Sequence, residues 1–385
     1  MQAFSPAGST IRPVQHRDLE IIEQLQLAGS LSAASSESTH YTRKARNWFP
    51  LVKFVSWFPN PLRHLFRAYV AEANGQILGF IRVSPTNSSR STWQIDEIEV
   101  DPASSRSAIG THLIRYCLES CWEARTWLLE VDVNAKDAIA LYRQNGFQPL
   151  AQLTDWEISA DALTELAQHQ PDLPNLLPVS NADAILLYQL DTAAMPPQIR
   201  QIYDISVNDF RPNLLDRLID HAQYTLNGMQ EVSGYVYEPQ RKAAIGYFSV
   251  LIHRPIAPKQ TTQDIQPAHR CQLTVHPAYT WLYPELMSQV ARIVQQQVGN
   301  EKYPLWVSSA DYQPEREAYF EQIQATGRSH GLLMARSVWH KIREARPALD
   351  ALQLSKMLSG FQPARKPVPG RIDVIPPTQP DELSS

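Results

Sequence analysis

The stretch from Ile95 to Phe147 constrains this chain more than any other, because it switches between two periodicities in a fixed order. IDEIEV interleaves apolar and acidic residues with the period of two that a strand imposes, and Val100-Asp101-Pro102 closes it. A polar turn, Ala103 to Ser107, leads to Ala108-Ile109-Gly110-Thr111, where a helical pattern begins. Ile109, Leu113, Ile114, Cys117, Leu118 and Cys121 then recur at helical spacing and give that helix one apolar face. A helix opening beside small residues presents unpaired backbone N–H groups and the positive end of its dipole, a seat for a phosphate or pyrophosphate. WLLEVD predicts a second strand, and KDAIALYRQNGF a second helix.

The remainder of the chain is long enough to demand a second core. At 385 residues it exceeds the size at which one hydrophobic core stops growing. Hydrophobic content of 43% and a net charge of −4 describe a globular protein with no gross bias toward nucleic acid. Three cysteines do not make a disulfide framework, and Cys117 and Cys121 on one apolar face read as buried thiols. MQAFSPAGST shows no basic region followed by an apolar run, and no apolar run reaches the length of a membrane span, so the cytoplasm is the expected location. His253, His269 and His276 match no compact zinc spacing, and no metal is expected.

In chain order, IRPV predicts a strand and the segment from about Asp18 a helix with Ile21, Ile22 and Leu25 inward. Between Arg43 and Arg67 basic residues alternate with Trp48, Phe49, Phe54, Trp57, Phe58 and Phe66, a pattern compatible with a lipid or nucleic-acid surface or with ordinary packing. Pro50, Pro59 and Pro61 count against a long amphipathic helix there. AYVAEA and QILGFIRV flank Asn74-Gly75, the strongest short hairpin signal. QPLAQLTDWEIS is expected to close the first sheet, so that a first domain covers 1–160 and a proline-bearing connector 161–182. In a second domain, 183–345, ILLYQL is expected as a strand, PPQIRQIYDI and NLLDRLIDHAQ as helices, and GYVYEP with AIGYFSVLIH as a second hairpin. CQLTVHP repeats the strand ending in Val-x-Pro, PLWVSSADY and GLLMARSVWHKI supply later strands, and the region 346–385 reads as a tail with a short helix near Leu349 to Leu358.

The phosphate turn, Leu129-Glu130-Val131, Ala138-Ile139-Ala140-Leu141-Tyr142 and Asn145-Gly146-Phe147 together resemble the GNAT superfamily of acyl-CoA-dependent N-acetyltransferases. The wording is closest to the subset that acetylates protein N-termini. Against the family turn R/Q-x-x-G-x-G/A, Ser105 stands at the basic position, Arg106 one place late, Ala108 at the first glycine and Gly110 at the second. The resemblance implies a mixed, mainly antiparallel sheet flanked by helices, an α/β class, in two such domains. It implies acetyl-CoA as co-substrate, with the backbone of Ile98 to Val100 on its amides and Ser105, Arg106, Ala108, Ile109, Gly110 and Thr111 around its diphosphate. The family asparagine falls at Ala135, with Asn134 one place early as the candidate contact. By the same resemblance Glu130 is the leading base and Tyr142 the acid that protonates the departing sulfur. Glu97 and Glu99, read as sharing a strand face with Ile95, are alternative bases acting through a water.

The expected acceptor is an amine-bearing small molecule or protein, with neither nucleic acid nor membrane as partner. In such domains the region of the basic-aromatic run forms a wall of the acceptor site. A second, degenerate domain of the same kind is expected, since Tyr283 and Glu285 fall at the two glycine positions with Pro284 between them, where they would block and repel a diphosphate. The alternative to an enzyme is a CoA-binding scaffold on the same frame.

Overall fold

The computed structural model describes residues 8–32, 66–211, 228–254, 267–298 and 302–338, all within one compact unit, Met1–His340. The basic-aromatic run as far as residue 65, NLLDRLIDHAQ, and the tail, including the helix expected near Leu349, lie outside the described residues.

The first half supplies β1 (Thr10–Pro13), α1 (Leu19–Ser32), β2 (Arg67–Ala73), β3 (Gln76–Pro85), β4 (Thr92–Val100), α2 (Arg106–Ser120), β5 (Thr126–Asp132), α3 (Lys136–Gln144) and β6 (Gln148–Ile158). After α4 (Ala160–Gln168) and β7 (Leu176–Pro178) come α5 (Ala184–Ala194) and α6 (Pro197–Tyr203). The second half continues with β8 (Met229–Glu238), β9 (Ala243–His253), β10 (His269–Val275), α7 (Leu282–Val298), β11 (Leu305–Ala310), α8 (Pro314–Gln322) and β12 (Thr326–Ser337). Among the described residues no helix is long and apolar enough to cross a membrane.

The twelve strands of the described residues form one sheet in the order β1-β2-β3-β4-β5-β12-β6-β11-β10-β9-β8-β7. It is mixed and mainly antiparallel, with parallel pairing only at β4–β5 and β10–β11 among the described pairs. The order is a palindrome in kind: each half contributes a hairpin, a feeding strand and a strand beyond the first helix, and the two halves meet at β12 and β6. These two have exchanged places. β12, the last strand of the second half, lies beside β5, Leu332 opposite Val131. β6, the last of the first half, lies beside β11, Trp156 opposite Val307. The expectation that Gln148–Ile158 closes the first sheet is thereby corrected, because β12 occupies that place.

The cores follow the exchange. The first, between the sheet and α2 and α3, contains Ile81, Trp93, Leu113, Ile114, Trp127 and Leu129 and receives Met334 from β12. The second, built on α7, contains Phe248, Leu273, Leu286, Val290 and Phe320 and receives Trp156 and Ile158 from β6. A third cluster, Leu128, Ala151, Leu333 and Ile199 of α6, seals the seam from the opposite face. The sequence division at 160 and 183 is therefore not a division of the sheet.

ILLYQL is helical, not a strand: it is the first part of α5, with Leu187 and Leu190 buried. Its start is set by Ser180 and Asp183, whose side chains and backbones satisfy each other in a capping box. The first hairpin turns at Asn74 and Gly75 with φ of 52° and 77°, the left-handed pair that an Asn-Gly turn requires.

A chain ending at Ala160 would expose the edge of β5 and leave Trp156 and Ile158 without their core. Size-exclusion chromatography and near-ultraviolet circular dichroism of that fragment are expected to show an aggregated species without fixed aromatic packing. A monodisperse fragment with a native-like aromatic spectrum would contradict the exchange.

Candidate active site

The sheet opens at one place in the first half. β4 and β5 pair only at Thr92–Thr126, Trp93–Trp127 and Gln94–Leu128, and part from there on. Two causes lie in the strands. Asp96 is an extra residue in β4, since Val83 faces Ile95 while Arg82 faces Glu97, and such a bulge bends a strand away from its neighbour. On the other side β12 holds β5 from Thr126 to Asp132.

The bulge also reassigns the faces of β4. Ile95, Ile98 and Val100 all pack on the α2 side, so Glu97 and Glu99 point to the opposite face from Ile95, contrary to simple alternation. The backbone follows the antiparallel rule that outward and inward residues alternate. Asp101 N–H donates to the Leu78 carbonyl of β3 at 2.9 Å, so Glu99 also faces β3. The N–H and C=O groups of Ile98 and Val100 therefore point into the opening between β4 and β5.

The turn that follows is exposed at Pro102, Ala103, Ser105, Arg106 and Ser107. Ser105 is the N-cap of α2, its hydroxyl accepting the Ala108 N–H at 3.4 Å, which extends the helix two residues ahead of the apolar pattern. Ile109 is buried in the core, and Thr111 accepts from Asn145 Nδ2 at 3.1 Å. A Cβ on Gly110 would meet Leu141 Cδ2 at 2.8 Å, so the glycine lets α2 pack against α3. Asn134 is exposed in the turn after β5, its N–H donating to Asp132 Oδ1 at 2.7 Å.

Tyr142 sits on α3 just before the helix ends. Phe147 N–H donates to the Tyr142 carbonyl and Gly146 N–H to that of Arg143, with Gly146 at φ +81°, the pattern of a Schellman cap. The Tyr142 ring is buried against Phe147, and burial followed by the charge of Glu99 holds its hydroxyl well above the ordinary phenol range. Glu99 itself is pushed up to about 7 by burial and by Glu97, against the opposing pull of Arg106. Arg106 acts on both groups, so Glu99, Tyr142 and Arg106 share one electrostatic environment beside the opened strands.

Glu97 is engaged elsewhere, with Arg82 Nη2 at 3.2 Å and Gln26 Nε2 of α1 at 2.6 Å. Asp96 is raised to about 6 by burial, with Arg82 and the Ser84 hydroxyl opposing that rise. Glu130 lies over β12, where a Cβ on Gly331 would meet its Oε1 at 2.5 Å. Of the carboxylates read from the sequence, Glu99 is the one that the structure couples to Tyr142. What separates it from Glu97 is that Arg82 and Gln26 already engage Glu97, contacts from distant strands and helices that the residue pattern does not mark. Among the described residues no group of three or more His, Cys, Asp and Glu is placed to hold a metal ion.

The second half repeats the opening with different side chains around it. β10 and β11 pair at His269–Leu305, Arg270–Trp306 and Cys271–Val307 and then part, yet the β9–β10 register has no bulge. The cap of α8 has the same bonds as that of α3, Ala325 to Phe320 and Gln324 to Glu321, with Gln324 at φ +58°. Phe320 therefore stands where Tyr142 does, and there is no hydroxyl. Tyr283 is buried and stacked on Tyr319, and Glu285 accepts the Asp172 N–H at 2.7 Å, so the start of α7 is occupied by the chain itself.

Residues 34–147 match the acetyltransferase (GNAT) family. Among solved structures, the chain is similar to a GCN5-related N-acetyltransferase from Sphaerobacter thermophilus, at 12% identity and a TM-score of 0.52 over 86% of this chain and 96% of that one. It is equally similar to a tandem GNAT protein from the clavulanic acid biosynthesis pathway, at 15% identity and a TM-score of 0.52 over 86% and 98%. At these identities the likeness concerns the fold. No protein of curated function matches the sequence.

Two outcomes follow for stability. Gly110→Ala is expected to cost about 1–3 kcal/mol through overpacking against Leu141, read as a lower denaturation midpoint, with part of the loss recovered when Leu141→Ala is added. For Glu99 the folded value, about 7, lies above the roughly 4.3 of an unfolded chain, so its contribution is full below the lower value and is lost as pH rises through the upper. Glu99→Gln is thus expected to raise the melting temperature at pH 8 and to leave it unchanged at pH 4.

Proposed function

We propose, from the match of residues 34–147 to the GNAT acetyltransferase family, that the first half of this chain transfers an acetyl group from acetyl-CoA to an amine. One observation carries the reading: β4 and β5 part beside a carboxylate tuned to about 7 and a buried phenol. The residues present suit the co-substrate. Ile98 and Val100 offer backbone groups to an extended pantetheine arm entering like an added strand. The exposed start of α2, at Arg106 and Ser107, offers N–H groups, the helix dipole and a guanidinium to a diphosphate. Acetyl-CoA supplies the activated acyl group.

The chain's own groups supply the proton traffic. Glu99 takes the proton from the incoming ammonium, and a base with a value near 7 is half ionised where it must act. Tyr142 keeps its proton at neutral pH and gives it to the leaving sulfur. Backbone N–H groups of β4 polarise the thioester carbonyl. Glu130, covered by Gly331, borders the opposite strand and is the second candidate base. The Leu129-Glu130-Val131 wording supports a protein N-terminal amine as acceptor.

The scaffold alternative is favoured by a single feature. Ser105 caps the Ala108 N–H from within the chain, so one amide of the anion seat is already taken.

The deciding experiment measures thiol release from acetyl-CoA with peptide and polyamine acceptors. Tyr142→Phe is expected to lower kcat about 100-fold with little change in KM for acetyl-CoA. Wild-type kcat/KM should rise with pH to a plateau above about 7, and Glu99→Gln should abolish that limb. Binding of acetyl-CoA without thiol release for any acceptor would establish the scaffold instead.

A further inference from the structure

The opening in the second half has lost the features that suit a thioester, but it has a feature the first half lacks. Arg316 of α8 is buried, with 7% of its surface exposed, and among the described residues its Nε has no hydrogen-bond partner. Nη1 donates to the neutral Gln313 Oε1 at 3.1 Å, and the guanidinium lies 5.8 Å from the centre of the Phe320 ring. Among the described residues the ionisable groups that act on it are Tyr283, Cys271 and Tyr312, and no carboxylate is among them. Burial pushes the Cys271 thiol up to about 12 and raises the Tyr283 hydroxyl, so neither neutralises the cation. Three residues on along the same helix face, the Tyr319 hydroxyl is also buried and has no hydrogen-bond partner among the described residues.

A guanidinium withdrawn from water without a counter-ion is among the costliest arrangements a fold can hold. Here it stands at a defined place, between the start of α7, the turn from β11 into α8 and the last paired residue of β10. We propose that this second opening is a binding site for a small carboxylate, held by Arg316 with the Tyr319 hydroxyl as a further donor. A single negative charge balances the single guanidinium, and a flat carboxylate matches the flat Nε edge. A phosphate would add excess negative charge close to Glu285, whose field already reaches Tyr319, and to Glu315, whose field reaches Tyr283. The carboxylate is that of a free organic acid; an acidic side chain of this protein seated there instead is an outcome of the test.

Thermal unfolding of the full chain at pH 7 in sodium acetate is compared with sodium chloride of equal ionic strength. Wild type is expected to melt about 1–2 °C higher in acetate. Arg316→Met removes the unpaired charge while keeping apolar volume, and is expected to melt above wild type in chloride and to show no acetate response. Tyr319→Phe is expected to fold and to show a smaller response than wild type. If Arg316→Met fails to fold, the acetate–chloride difference in wild type and its reduction in Tyr319→Phe decide. No acetate effect in wild type, with Arg316→Met melting lower, would mean that the chain supplies its own anion, and the ligand site would be rejected. A response to phosphate but not to acetate would overturn the carboxylate assignment.

Discussion

The pairing of β6 with β12 is the constraint on which the rest depends. Each half of the sheet ends at a strand whose natural neighbour is its own last strand, and in each case the other half provides it. Met334 enters the first core and Trp156 and Ile158 enter the second, so neither core is complete within its own sequence. The apolar side chains that would seal two independent domains are instead spent on one cooperative sheet.

The same pairing shapes the site. With β12 holding β5 along its length and the Asp96 bulge turning β4, the two parallel strands have contact over three residue pairs and then separate. The separation leaves backbone groups of Ile98 and Val100 unengaged by β5 and brings Glu99, Tyr142 and Arg106 into one field. The second half has the parting strands but a straight β10, Phe320 for the phenol and Tyr283 at the helix start. The two openings therefore differ in backbone by the β4 bulge and in side chains by Phe320 for Tyr142 and by the stacked Tyr283.

Much of this was legible because it is local. The β4–α2–β5–α3 order follows from periodicity, the hairpin from Asn74-Gly75, and the end of α3 from Gly146, since only such residues take the left-handed turn readily. The exchange was not legible, because β6 and β12 carry compatible apolar patterns and nothing local tells a strand which of two similar edges to join. The face on which Glu97 and Glu99 lie was hidden by one extra residue at Asp96, which turns both away from Ile95 without interrupting the pattern. ILLYQL reads as a strand by composition, and the Ser180–Asp183 cap that makes it helical lies just outside it.

The exchange bears on how the chain is made. During synthesis β5 emerges with its edge bare, and Val131 must wait for Leu332. At ribosomal speeds of about 5–20 residues per second, that wait is on the order of 10–40 s. Throughout it, an apolar half-sheet with an open edge faces the cell, where chaperones and neighbouring nascent chains compete for it.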